Sequence, residues 1–92
     1  MNRKDQVLKW ANRIRKEVFH KKPLKRLPRG YPMDGTACVI HNCFAVPWAT
    51  DISVDRSETE IGCWGERIKH PAYITKFIND FDRGKYPELE TK

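Results

Sequence analysis

Long apolar runs are absent from this sequence of 92 residues. No stretch approaches the roughly 20 apolar residues that span a bilayer. Charged residues recur every few positions from Arg3 onward, which excludes the apolar segment of a secretory signal peptide. The sequence therefore predicts a soluble protein that stays in the compartment where it is made.

Cysteine is scarce as well. Cys38, Cys43 and Cys63 are an odd number in a chain without an export signal, which favours reduced thiols over a disulfide framework and is typical of the cytoplasm. The paired Cys-x2–4-Cys knuckle of a strong zinc motif is missing.

The short chain also disfavours a deep substrate pocket, because a domain of this size hides only about 60–65% of its unfolded surface. We expect one folded domain over residues 1–92.

Acidic residues are nearly absent from the first thirty positions. This segment carries eleven Lys and Arg against Asp5 and Glu17, a net charge of +9, whereas residues 31–92 carry −3. Asp5 and Glu17 can pair with Lys9 and Arg13, but such exposed pairs contribute only about 0.3–0.5 kcal/mol each and leave most of the positive charge unpaired. The charge distribution is polarised, and the basic end is the best indication of a partner.

Residues 4–19 show the periodicity of an amphipathic helix. Apolar residues recur there at spacings of three and four, which predicts one buried stripe; they are Val7, Trp10, Ala11, Ile14 and Val18. The same spacing places Lys9, Arg13 and Lys16 on an outward ridge. Arg15 flanks this ridge.

Residues 20–35 form a connection rich in proline and glycine, which excludes a helix or a central strand. Leu24 and Leu27 are expected to attach it to the core. Its basic residues continue the positive surface and are Lys21, Lys22, Lys25, Arg26 and Arg29.

Residues 36–84 predict a helix-hairpin-helix body. A short helix over 37–45 precedes strands over 50–55 and 59–65, joined by a turn at 56–58. A last helix begins with Pro71 as its first residue and ends at Arg83-Gly84, and its buried stripe is Ile74, Phe77, Ile78 and Phe81. The tail over 85–92 is expected to tuck in through Tyr86 and Leu89. The predicted fold is α+β in the order α-α-β-β-α, with the first and last helices packed over a two-stranded antiparallel hairpin.

Three segments carry a resemblance to small proteins encoded by actinobacteriophages. They are Leu27-Pro28-Arg29-Gly30, Cys38-Val39-Ile40-His41-Asn42 and Phe81-Asp82-Arg83-Gly84-Lys85-Tyr86-Pro87-Glu88-Leu89. In those proteins a helix leads to a Leu-Pro-x-Gly turn, a short Cys-containing helix, a hairpin and a similar ending. The resemblance implies a phage accessory protein in a bacterial cytoplasm. It supplies no functional residues, because the family has no established activity.

Cys38, His41 and Cys43 lie within six residues, and Cys63 could complete a zinc set. On a helix, however, Cys43 points about 140° away from Cys38, which favours small buried side chains over ligands. Cys38 with His41 lacks the oxyanion donors that thiol catalysis needs.

A metal nuclease built on His41-Asn42 and His70 is disfavoured, because His41 precedes the first predicted strand instead of ending it. A capping or surface role is favoured for His41, Asn42 and His70. The sequence therefore predicts no catalytic residue, no metal site and no cofactor, and the protein is not expected to be an enzyme.

Trp64 stands between Gly62 and Gly65, where its ring either stacks on a base or partner or packs against a helix. The basic face is the stronger signal. It predicts nucleic-acid binding, DNA or RNA, with an acidic surface on a host protein as the alternative and a merely solubilising face as the third interpretation. Membrane binding is disfavoured, because the first helix lacks a broad apolar face. The candidate binding residues are Lys9, Arg13, Lys16, Lys22, Lys25, Arg26, Arg29 and Trp64.

Overall fold

The computed structural model describes residues 2–34, 37–44, 52–55, 57–61 and 66–91. Within these ranges the helices are α1 (Arg3–Glu17), α2 (Val39–Phe44) and α3 (Ala72–Asp82), and the strands are β1 (Ile52–Val54), β2 (Glu58–Ile61) and β3 (Glu66–Lys69). A short 3-10 turn follows at Pro87–Leu89. The predicted α+β class is confirmed.

The sheet has three antiparallel strands in the order β1-β2-β3. Val54 pairs with Thr59 in the predicted hairpin, which is confirmed. The prediction of only two strands is wrong, because β3 pairs along β2 from Glu58 opposite Lys69 onward. Charged residues dominate β3, so its sequence lacks a clear apolar alternation. A diagonal ion pair of 2.8 Å between Arg67 and Glu58 supports the added strand.

Helix α1 begins where Asn2 caps it, since the Asn2 Oδ1 accepts a hydrogen bond of 2.9 Å from the Asp5 N–H. The predicted stripe is confirmed: Val7, Trp10, Ala11 and Ile14 are buried, and Val18 packs against the core. The helix ends at Glu17, two residues before the predicted end. His20 then takes a left-handed backbone, with φ of 53°, and reverses the chain.

The core lies between the helices and one face of the sheet. Helix α1 packs against α3 and α2, and α2 packs against β1. The fully buried Phe44 joins these layers, because the rings of Trp10 and Phe19 lie 5.7 Å and 5.4 Å from it. The short helix α2 therefore links α1 to the sheet.

The stripe predicted for the last helix is confirmed, since Ile74, Phe77, Ile78 and Phe81 are buried on α3. Pro71 occupies the N-cap and not the first helical position that was predicted. Gly84 ends the helix in a left-handed conformation, with φ of 81°.

The tail is held as predicted, because Leu89 is buried and the ring of Tyr86 lies 4.8 Å from that of Phe77. The connection is also attached to the core, since Leu27 is buried and Leu24 half-buried. Every helix in the described part of the chain is too short or too polar to cross a membrane.

Candidate nucleic-acid interface

Residues 21–29, here called the arm, lie along α1 and are held there by Asn12. The Asn12 side-chain amide donates to the Leu24 carbonyl at 3.1 Å, and the Leu24 N–H donates to the Asn12 Oδ1 at 2.6 Å. One side chain thus satisfies both backbone groups of one arm residue. This double contact fixes the middle of the arm against the middle of the helix.

Arg15 holds the beginning of the arm. Its Nε and Nη2 donate to the Lys22 carbonyl at 3.1 Å and 3.0 Å, and its Nη1 donates to the carbonyl of Cys43 at the end of α2. The Lys21 N–H in turn donates to the Arg15 carbonyl at 2.9 Å. Arg15, which the sequence placed beside the ridge, therefore uses its guanidinium to join three segments of the fold.

The end of the arm is held from α2 and from the tail. The Asn42 side chain donates to the Arg29 carbonyl at 2.7 Å and to the Ala37 carbonyl at 3.2 Å. The next residue, Gly30, donates its N–H to the Leu89 carbonyl and accepts from the Thr91 N–H, both at 2.8 Å. Asn42, for which a capping or surface role was expected, is half-buried and anchors the arm.

The arm runs antiparallel to α1, because Lys22 lies at Arg15, Leu24 at Asn12, and the arm's last residues share a groove with Lys4 and Leu8. The seven predicted cations are all exposed; they are Lys9, Arg13 and Lys16, here called the ridge, and Lys22, Lys25, Arg26 and Arg29 of the arm. Together they form the basic face. The structure thus places the two predicted basic segments side by side.

Most of this charge is not neutralised. Arg13 pairs with Glu17 at 3.3 Å, but both side chains are exposed, and such a pair contributes only about 0.3–0.5 kcal/mol. The other six side chains of the basic face make no ion pair within the described ranges. Six positive charges are therefore available to an anionic partner.

An open groove of about 600 Å³ separates the first half of α1 from the arm and the 3-10 turn. Lys25, Arg26 and Arg29 lie along it, with Leu27 and Leu89 among its apolar residues. Lys4 and Glu88 close it with an ion pair of 2.8 Å. This hydrogen bond raises the pKa of Lys4 and lowers that of Glu88, so both stay charged at neutral pH.

The cysteines behave as small apolar residues where the structure describes them. Cys38 and Cys43 are buried, and burial raises the pKa of both thiols, that of Cys43 to about 12. A protonated thiol is a poor nucleophile and metal ligand. In the described ranges no three His, Cys, Asp or Glu side chains gather into a group that could hold a metal ion. Cys63 lies outside those ranges.

His41 is half-buried, and its ring Nδ1 lies 3.3 Å from the Asn42 Oδ1. The surface or capping role expected for His70 is wrong, because its side chain is buried and Pro71 caps α3. The His70 ring lies 5.5 Å from that of Trp10, and its Nε2 lies 3.4 Å from the Thr59 Oγ1. His70 directly follows β3, so its burial could not be expected without that strand, which the sequence did not predict.

His70 makes stability depend on pH. Burial lowers its pKa from the ordinary 6.5, although the nearby backbone and charge of Asp55 and of Glu58 act in the opposite direction, and its Nδ1 has no partner among the described residues. The unfolded chain therefore binds the proton more readily than the folded one. The contribution of His70 to the free energy of unfolding is fully present above about pH 6.5, and it falls as the pH decreases toward the pKa of His70 in the folded protein. Urea unfolding at several pH values between neutrality and about pH 5.5 should show this loss, and less of it in His70→Gln. An equal loss in the variant would assign it to other groups.

Trp64, the eighth candidate residue, lies outside the described residues. Comparisons of the chain with protein-family models, curated proteins and solved structures found no match.

The sequence did not predict that Asn12, Arg15 and Asn42 hold the arm in place. The one available signal was Asn12, a neutral residue with poor helix propensity in the middle of a basic helix.

Proposed function

We propose that this protein binds nucleic acid through the basic face, without catalysis. One observation carries the proposal: two basic segments are fixed side by side, and six of their seven cations have no ion-pair partner in the described part of the chain. Unpaired surface cations in a row favour a partner with closely spaced negative charges. The phosphate backbone of a nucleic acid is such a partner.

The spacing of the ridge suits a phosphate backbone. Lys9 and Lys16 are seven residues apart on α1, which separates their Cα atoms by about 10.5 Å along the helix axis, or about three base-pair steps of 3.4 Å. Contacts of this kind position a protein on the backbone without reading base sequence. Binding is therefore expected to be independent of sequence.

The anchored arm strengthens this case. A free basic tail would lose conformational entropy on binding, whereas the backbone of the arm is already held at Leu24, Lys22 and Arg29. Only its exposed side chains remain to be ordered. The charges of the arm are thus presented in a fixed arrangement next to those of the ridge.

The test is the salt dependence of binding to a fluorescent duplex, followed by anisotropy. If five to seven cations contact phosphates, the slope of log K against log salt concentration should be about −5 to −6, since each contact contributes about −0.9. A slope near zero would show that phosphate contacts do not drive binding. No binding at about 50 mM salt, where affinity through phosphate contacts exceeds that at physiological salt, would contradict the proposal.

The alternative partner is an acidic surface on a protein of the bacterial host. The observation that favours a protein over a nucleic acid is the pair of exposed apolar residues at a turn: Tyr31 is 50% and Met33 is 80% exposed. Met33 has a left-handed backbone, with φ of 60°, and its N–H donates to Asp82 at 2.8 Å. A pull-down from nuclease-treated bacterial lysate separates the two kinds of partner, because protein partners persist and nucleic-acid-mediated ones disappear.

The phage origin implied by the resemblance stays a prediction.

A further inference from the structure

A second groove, of about 370 Å³, lies between α1 and α3 on the other side of the ridge from the arm. Its lining residues are Gln6, Lys9, Trp10, Arg13 and Tyr73. Its volume is at the lower end of the range in which proteins bind small ligands, about 300–1,000 Å³. Two of the described lining residues, Lys9 and Arg13, belong to the ridge, so the groove opens directly onto the basic face.

The lining combines aromatic rings with positive charge. Trp10 is buried and Tyr73 half-buried, so both rings contribute apolar surface, and no carboxylate of the described residues lines the groove. The Arg3 guanidinium lies 6.0 Å from the centre of the Tyr73 ring. This contact helps to hold the ring at the groove.

Gln6 adds a directional polar group. Its Oε1 accepts a hydrogen bond of 3.3 Å from Arg3, while its amide NH2 has no partner among the described residues. That NH2 can donate to a ring nitrogen or carbonyl of a bound group. A flat, polar-edged aromatic ligand attached to a phosphate matches all of these features.

We infer that this groove binds an unpaired nucleobase, which rests on the proposed function. In this arrangement the phosphates of a single strand contact Lys9 and Arg13, and one base enters the groove against Tyr73 with its edge toward Gln6. Bases stack on aromatic side chains largely without regard to their identity. A base inside a duplex is already stacked and paired, and must be extruded before it can enter. The groove therefore favours single strands, whereas the rest of the basic face binds any phosphate backbone.

The test compares Tyr73→Leu with Tyr73→Phe. Leucine keeps apolar contact with the core but removes the ring, whereas phenylalanine keeps the ring and serves as the matched control. The probes are an oligothymidylate of about 12 nucleotides, within the range of sites that single-strand binders cover, and the corresponding duplex with oligoadenylate. Anisotropy is recorded for both at the same salt concentration.

Tyr73→Leu should weaken oligothymidylate binding about 10-fold, within the range of about 5- to 150-fold that loss of one stacked base produces. Tyr73→Phe should bind both probes like the wild type, and duplex binding should be unchanged in both variants. Equal loss on both probes, or none on the single strand while the duplex still binds, would overturn the inference and leave the proposed function standing. A wild type that binds neither probe would overturn both.

Discussion

Replacing Gly30 by alanine should lower the midpoint of thermal unfolding by about 12–24 °C, which corresponds to about 3 kcal/mol in a domain of this size. A Cβ at this position would lie 2.5 Å from the Cys38 carbonyl carbon and 2.8 Å from the Ala37 carbonyl oxygen, and against the Val39 N. All three atoms belong to the backbone at the start of α2. No side chain can rotate away to make room.

The surroundings of Gly30 also limit relaxation. Its N–H and carbonyl bind Leu89 and Thr91 in a parallel bridge to the tail, so the residue is held between α2 on one side and the chain end on the other. Moving it by the required distance breaks these hydrogen bonds. A loss of about 3 kcal/mol is a sizeable fraction of the about 5–15 kcal/mol by which domains are stable.

Gly84→Ala is the matched control for this substitution. A Cβ on Gly84 meets no atom of the described residues within 4 Å, so the expected cost is that of the left-handed backbone, about 1–2 kcal/mol. Circular dichroism melts should therefore rank the wild type first, Gly84→Ala second and Gly30→Ala last. A Gly30→Ala melting temperature at or above that of Gly84→Ala would show that α2 and the tail separate easily at this point.

Neutralising Lys25, Arg26 and Arg29 together should weaken duplex binding by about 10²- to 10³-fold at about 0.1 M salt, because each lost phosphate contact removes about 0.9 log units there. This equals about 3–4 kcal/mol of binding free energy. The three side chains are exposed and make no ion pair among the described residues, so the triple glutamine variant should keep the wild-type melting temperature. The slope of log K against log salt concentration should also become shallower by about 3.

The control variant removes the same number of charges elsewhere. Lys69, Lys76 and Arg83 are exposed cations on β3 and at α3, also without an ion pair among the described residues. Their triple glutamine variant should bind duplex within about 10-fold of the wild type, since only the long-range attraction of net charge is lost. Equal loss in both variants would mean that total charge, and not the basic face, determines affinity.

The helices could be predicted from the sequence because each buries a single apolar stripe. Val7, Trp10, Ala11 and Ile14 on α1 recur at helical spacing, and so do Ile74, Phe77, Ile78 and Phe81 on α3. The strand β3 could not be predicted, because its stability comes from hydrogen bonding to β2 and from pairs such as Arg67–Glu58. These partners lie only five to eleven residues away along the chain. A charged strand of four residues nevertheless shows no apolar periodicity of its own that would reveal the pairing.

The candidate site divides in the same way. Which cations are exposed followed from helical periodicity and from the prolines of the connection. The return of the arm along α1 could not be predicted, because it depends on single side chains that bind backbone groups. Asn12 binds Leu24 in this way, and Arg15 binds Lys22. Counting charge cannot distinguish Arg15, which joins segments, from Lys16, which is free for a partner. The groove at Tyr73 depends on α3 packing against α1 and was likewise not evident in the sequence.

The antiparallel course of the arm also sets how much of a nucleic acid one molecule can cover. Helix α1 has 15 residues, about 22 Å in length, and the arm returns beside it instead of extending beyond it. The basic face is therefore about as long as six or seven base pairs at 3.4 Å per step. On this geometry the basic face of one molecule covers about two-thirds of a turn of duplex, since one turn has about 10–10.5 base pairs.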